Sequence, residues 1–174
     1  MKNALTLLML IMALPAMAQT KTYIVSNDPE GGYLIYNGVV TFNDLDKEST
    51  FTWLKKGREE YKPNEDKLNY LRLHLKEYSM VVFLGTWCDD SHELVPKLEK
   101  ILQMTGYPAD RVTLYATDRD KKTKGGEHKQ YRITLVPTII LISNGKEAGR
   151  ITESVDKSIE ADLAAIIGKQ HEIH

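Results

Sequence analysis

The chain has 174 residues, 23 Lys and Arg against 24 Asp and Glu, and one cysteine. A net charge of −1 gives no electrostatic basis for binding nucleic acid or an anionic membrane surface. One cysteine excludes an internal disulfide framework, and the length suits a single domain with a proper core.

The N-terminus opens with Met1-Lys2-Asn3, an apolar run from Ala4 to Leu14, then Pro15 and Ala16-Met17-Ala18. A short positive start, an apolar stretch too short to span a bilayer and a small-x-small triplet read as a signal peptide over 1–18, cut before Gln19. Residue 19 is not cysteine, so the usual lipoprotein route is closed. No later stretch is long and apolar enough to span a membrane. The mature chain is therefore expected in the periplasm or outside the cell.

Residues 20–45 read as short strands and turns: 23–26, then 33–36, an Asn37-Gly38 turn, then 39–42. Asn-Gly between apolar runs is a hairpin signal. A helix is expected from Ser49 or Thr50 to Tyr61, stopped by Pro63. Asn64 can cap a second helix with Leu68, Leu71 and Leu75 on one stripe. Phe51, Trp53, Tyr61 and Tyr70 read as core aromatics.

From Met80 the pattern becomes regular. A buried strand is expected over 80–86 and a helix over 89–105, with Leu94, Leu98, Ile101 and Leu102 inward and Gly106 just past its end. Residues 111–117 form another strand, parallel to the first through a right-handed crossover. A short helix follows near 126–131. Residues 138–143 and 147–151 make a hairpin around Asn144-Gly145. A last helix carries Ile159, Leu163, Ile166 and Ile167 and stops at Gly168. The order is β-α-β-α-β-β-α.

The lone cysteine sits in Trp87-Cys88-Asp89-Asp90-Ser91, where the buried strand gives way to a helix. A sulfur there faces unpaired N–H groups and the positive end of the helix dipole, which favour the reactive thiolate. That effect is about 0.3–1 kcal/mol, rising to about 2 when partly buried. A carboxylate about 7 Å away at an effective dielectric near 40 opposes it by about 1 kcal/mol. Asp89 and Asp90 can thus cancel the helix effect. Ser91, by a hydrogen bond to the sulfur, and a protonated His92 can restore part of it, so a moderately activated thiol is expected. The acids equally serve as ordinary stabilisers of a first helical turn. Position 91, where a second cysteine would resolve a mixed disulfide, is serine.

The rest of the chain offers little competing chemistry. His171-Glu172-Ile173-His174 has metal-ligand residue types, but on a chain end where fraying is the rule. Asp118-Arg119-Asp120 follows a strand end and could cap or bind a cation, but it reads first as a loop, and Lys121-Lys122-Thr123-Lys124 reads as a solvated loop. No phosphate loop, Ser-His-Asp set or paired-carboxylate site can be argued from spacing. No cofactor and no metal site are expected.

The element order from Met80, with Trp87-Cys88 opening the first helix and Val136-Pro137-Thr138 opening the hairpin, resembles the thioredoxin family. The resemblance implies an α/β, thioredoxin-like three-layer fold: a central mixed sheet flanked by helices, here with an N-terminal strand and helix extension. It implies a core over 80–174 and an extension over 19–79 packed on it. It also implies a cis bond before Pro137, packing of Pro137 against Cys88, and substrate contact through the backbone of Val136. The nearer likeness is to exported bacterial thioredoxin-like proteins with Trp-Cys-x-Asp-Ser, which share Tyr61-Lys62-Pro63.

Three departures from an ordinary thioredoxin stand out. Ser91 replaces the resolving cysteine, Val82 stands where the family often buries an acid, and Asp89-Asp90 replaces Gly-Pro. The first two agree, since a buried acid without a resolving thiol to serve would only cost desolvation energy.

Two functions follow. One is monothiol thiol–disulfide exchange, with Cys88 and Ser91 as catalytic residues and Trp87, Asp89, Asp90 and His92 shaping the site. Val136 and Pro137 would bind substrate, and the partners would be protein or small-molecule thiols and disulfides. The other is a non-catalytic peptide-binding or chaperone-like module using the same groove. A Cys88-linked homodimer is open to either.

Overall fold

The computed structural model describes residues 22–172. The expected signal peptide and His174 lie outside them.

Six strands form one mixed sheet in the order β1-β2-β4-β3-β5-β6. They are β1 (Tyr23–Asn27), β2 (Leu34–Val40), β3 (Ser79–Leu84), β4 (Val112–Ala116), β5 (Thr138–Ser143) and β6 (Lys146–Thr152). Among the described residues only β3 and β4 pair in parallel, and the helix between them supplies the crossover. The helices are α1 (Phe42–Asp46), α2 (Thr52–Glu60), α3 (Glu65–His74), α4 (Asp89–Thr105), α5 (Glu127–Gln130) and α6 (Ile159–Glu172).

Alternation along β3 sets the layers. Met80, Val82 and Leu84 join the main core with Leu54 of α2, Leu68 and Leu71 of α3, Leu94 and Leu98 of α4, and Leu163 and Ile167 of α6. Val81 and Phe83 point the other way, into a smaller cluster with Ile133, Val136 and Ile140. One sheet face is thus roofed by α2, α3, α4 and α6, and Leu45 of α1 joins the same core. The other carries the 117–137 segment with short α5.

Helix ends follow local chemistry. The Asn64 side chain accepts from Lys67 N–H and starts α3. Gly106, at φ 61, ends α4, and Tyr107 N–H closes onto Leu102 O at 2.9 Å in a Schellman arrangement. Pro96 lies inside α4. α2 crosses close to it at Gly57, where an added Cβ would come within 2.5 Å of Pro96 Cγ.

Two expectations from sequence are corrected. Asn37-Gly38 is not a turn: both residues lie within continuous β2, paired with Ile24 and Tyr23 of β1, and the hairpin turns between 27 and 34. Asn37 uses its side chain instead, donating to Lys122 O at 3.2 Å and accepting from Lys124 N–H at 2.6 Å. The last helix does not stop at Gly168 but runs on to Glu172. α1, which was not anticipated, is closed by a capping box between Thr41 and Asp44.

Candidate functional site

Cys88 is the N-cap residue of α4, with extended backbone angles (φ −101, ψ 122). Its carbonyl accepts from His92 N–H at 3.0 Å, the first bond of the helix. Its side chain makes no capping bond. The residue is half-buried, and its sulfur instead donates to Val136 O at 3.3 Å. The Val136-Pro137 peptide bond is cis. Two segments 48 residues apart therefore meet at the sulfur: the β3–α4 turn and the turn into β5.

Gly85 makes the β3–α4 turn feasible. A Cβ there would stand 2.8 Å from Trp87 Cε2 and 3.0 Å from Cys88 Cβ, so the indole can fold back only over glycine. Trp87 Nε1–H donates to Thr117 O at 2.9 Å, which fixes the ring beside the sulfur. Thr86 is fully buried; its hydroxyl accepts from Tyr36 N–H at 3.1 Å and donates to Leu34 O at 2.7 Å. The cysteine turn is thereby tied to β2.

Ser91 departs from expectation. It is fully buried, and its Oγ accepts from Gly85 N–H at 3.1 Å. It braces the turn under Cys88, and among the described residues its hydroxyl makes no hydrogen bond to the sulfur. The reason is helical geometry: position 91 lies on the inward stripe of α4 with Leu94, Val95 and Leu98.

His92 is also engaged elsewhere. Its Nε2 lies 2.8 Å from Thr86 O. Its ring stacks on Trp53 at 4.5 Å and meets the edge of Tyr33 at 5.6 Å. Nδ1 stands 3.7 Å from Asp89 Oδ1, and the Asp89 side chain is 93% exposed. Asp90 is exposed too, so both carboxylates act on the sulfur through a largely screened path. Trp53, read from sequence as core, packs partly against the core and partly on His92.

The sequence reading missed a cationic edge. Arg119 Cζ stands 5.1 Å from the Trp87 ring centroid, and Lys121 Nζ stands 5.5 Å from it. The Arg119 fork grips Asp28 at 2.6 and 2.7 Å, and a third nitrogen reaches Glu30 at 2.9 Å. The Asp28 side chain is fully enclosed. The Arg119 hydrogen bonds hold the Asp28 carboxyl below the usual range. Asp28 in turn raises Arg119, with Glu30 a smaller contributor. Neighbouring residues give no hint of this pairing, because its two members are 91 positions apart.

Outside this region, His171 packs edge-on against His74 at 5.1 Å. Among the described residues no group of three His, Cys, Asp or Glu is placed to hold a metal ion, and no helix is long and apolar enough to cross a membrane.

A mixed sheet with a parallel pair joined by a helix, a cysteine at that helix's N-terminus and a cis-proline turn against its sulfur define a thioredoxin-like domain. Comparison with known proteins agrees. The thioredoxin family model matches residues 65–167, and the chain belongs to the thioredoxin family. It is 28% identical to thioredoxin-1 of Saccharomyces cerevisiae over 86 residues, which is 49% of this chain and 78% of that protein. It is 30% identical to thioredoxin of Echinococcus granulosus over 83 residues, 48% of this chain and 72% of that one. Among solved structures, a Pseudomonas aeruginosa protein of unknown function superposes with a TM-score of 0.56 at 13% identity. That match covers 76% of this chain and 93% of the other, and it is a likeness of fold alone.

Proposed function

We propose that this is an exported monothiol member of the thioredoxin family, of the bacterial type with Trp-Cys-x-Asp-Ser, which exchanges disulfides through Cys88. The observation that carries the reading is Cys88, a half-exposed residue at the start of α4 whose sulfur lies against the carbonyl before Pro137. Export rests on residues 1–18 and places the protein in the periplasm or outside the cell. Residues 19–79 are read as an extension that braces the site, with Leu34 and Tyr36 on Thr86, Asp28 on Arg119, and Asn37 on Lys122 and Lys124.

The exchange balances without an added oxidant. The Cys88 thiol first gives its proton to solvent. The thiolate attacks one sulfur of a substrate disulfide, a new S–S bond forms, and the old one breaks. Its electron pair leaves with the second substrate sulfur, which takes up a proton as a thiol. A thiol from the substrate or from solution then attacks the mixed disulfide and releases Cys88. Isomerisation and removal of small-thiol adducts can both run on one cysteine in this way. Net dithiol reduction within one site cannot.

In this scheme Trp87 walls one side of the sulfur, and the Val136 backbone offers groups to an extended substrate once the thiol lets go of its oxygen. Ser91 and His92 act by positioning: Ser91 holds the turn through Gly85, and His92 holds it through Thr86. The direct test is the rate of Cys88 alkylation by a small neutral reagent against that of a free cysteine peptide. Faster reaction at Cys88 supports exchange. A slower one favours a peptide-binding module in which the sulfur is incidental.

A further inference from the structure

Two cations stand over one indole ring beside the cysteine, and they are not equivalent. Arg119 is neutralised by enclosed Asp28 and by Glu30. Lys121 makes no ion pair among the described residues. Its backbone is left-handed at φ 61, and its N–H closes the turn onto Asp118 O at 2.9 Å. The turn is pinned further where Asp118 Oδ1 accepts from Lys122 N–H at 2.8 Å and where Asn37 grips Lys122 and Lys124. A flexible lysine is thus held with its ammonium at the Trp87 face rather than swept into solvent. The acids of the site, Asp89 and Asp90, stand in the first turn of α4. The mouth around the sulfur is therefore polarised, with the Lys121 charge on the indole side met only through space by Asp120, whose own ion pair is to Lys122.

We propose that Lys121 is a specificity-determining residue for the exchange reaction, taking the carboxylate that flanks the disulfide of an acidic substrate. The proposal rests on the exchange reading above. Asp28 and Arg119 serve as the clamp that fixes the loop, and Lys121 provides the charge that the substrate meets.

The test compares two chromogenic disulfides, dianionic dithiobis(nitrobenzoate) and neutral dipyridyl disulfide, as the ratio of their second-order rate constants with Cys88. Lys121→Met should lower the ratio about fivefold at low salt, and Lys121→Glu by about tenfold or more. Lys121→Arg should retain it. Lys146→Met, at the start of β6, should leave it unchanged. Raising ionic strength should bring the wild-type ratio towards that of Lys121→Met. A ratio unmoved by Lys121→Glu overturns the proposal, as does an equal loss with both reagents. A wild type inert to both reagents overturns the exchange reading itself.

Discussion

The Cys88 sulfur lies 3.3 Å from the carbonyl oxygen of Val136 and donates its proton to it. The bond joins the start of α4 to the turn that feeds β5, and it occupies the backbone group that the exchange reading assigns to substrate. Attack on a disulfide removes this proton, so ionisation of the thiol and opening of the Val136 oxygen are one event. The bond is also replaceable. A hydroxyl at position 88 can make the same contact, and Cys88 caps nothing with its side chain. Cys88→Ser should therefore lose all covalent trapping while changing stability by no more than about 1 kcal/mol. Urea denaturation alongside a trapping assay checks both halves.

Ser91→Cys supplies the resolving thiol that the chain lacks. Residues 88 and 91 are one helical turn apart, within reach of a disulfide for suitable rotamers. Position 91 is buried and its hydroxyl accepts the Gly85 N–H, so the weaker sulfur acceptor should cost about 1 kcal/mol. The variant should form an internal bridge and reduce insulin where the wild type does not. Val82 provides no buried acid, which keeps the rate below that of an ordinary thioredoxin. Thiol counts before and after oxidation, with insulin turbidity, decide it; two titratable thiols after oxidation would contradict the account.

Gly57→Ala tests how α2 seats on α4. Alanine gains up to about 1 kcal/mol of helix propensity over glycine. Here its Cβ would meet Pro96 Cγ at 2.5 Å and Cβ at 2.9 Å, so the two helices must part. A net loss of about 1–3 kcal/mol is expected, together with weaker protection of the Trp53–His92 stack. A variant more stable than wild type would refute the close approach.

Glu160 anchors α6 to the segment between α2 and α3. Its carboxylate accepts from Tyr61 Oη at 2.6 Å and Asn64 N–H at 3.0 Å. Burial raises the carboxyl, but these hydrogen bonds outweigh it and hold the group below the usual range. A depressed acid contributes stability above its unfolded value, about 4.3, and loses it as pH falls through the folded value. Glu160→Gln should cost about 2 kcal/mol at pH 7. Its deficit in urea midpoint should shrink as pH drops below about 4. A deficit constant down to pH 3 would show that the charge plays no part.

The core from β3 onward was legible because its signals are local and repeated. The stripe of α4, its stop at Gly106 and the Asn144-Gly145 turn each follow from a few adjacent residues. The N-terminal part misled because Asn37-Gly38 carries a turn signature while its side chain serves another loop. In the site, the Cys88 sulfur meets the Val136 oxygen before the cis bond to Pro137, and Trp87 packs on the same small cluster. Ser91 and His92 were named for the sulfur, but their side chains bond to Gly85 and Thr86 in the turn beneath it. The cationic edge was invisible, since Arg119 acquires its place from Asp28 on a hairpin loop far back in the chain.

The central claim is that Cys88 forms a mixed disulfide that only an outside thiol can release. The most direct measurement follows intact mass after mixing reduced protein with glutathione disulfide. The account predicts one glutathione adduct per chain, absent from Cys88→Ser, persistent after the reagent is removed and discharged when free thiol is added. No adduct on the wild type, or release of the adduct without any added thiol, would contradict it.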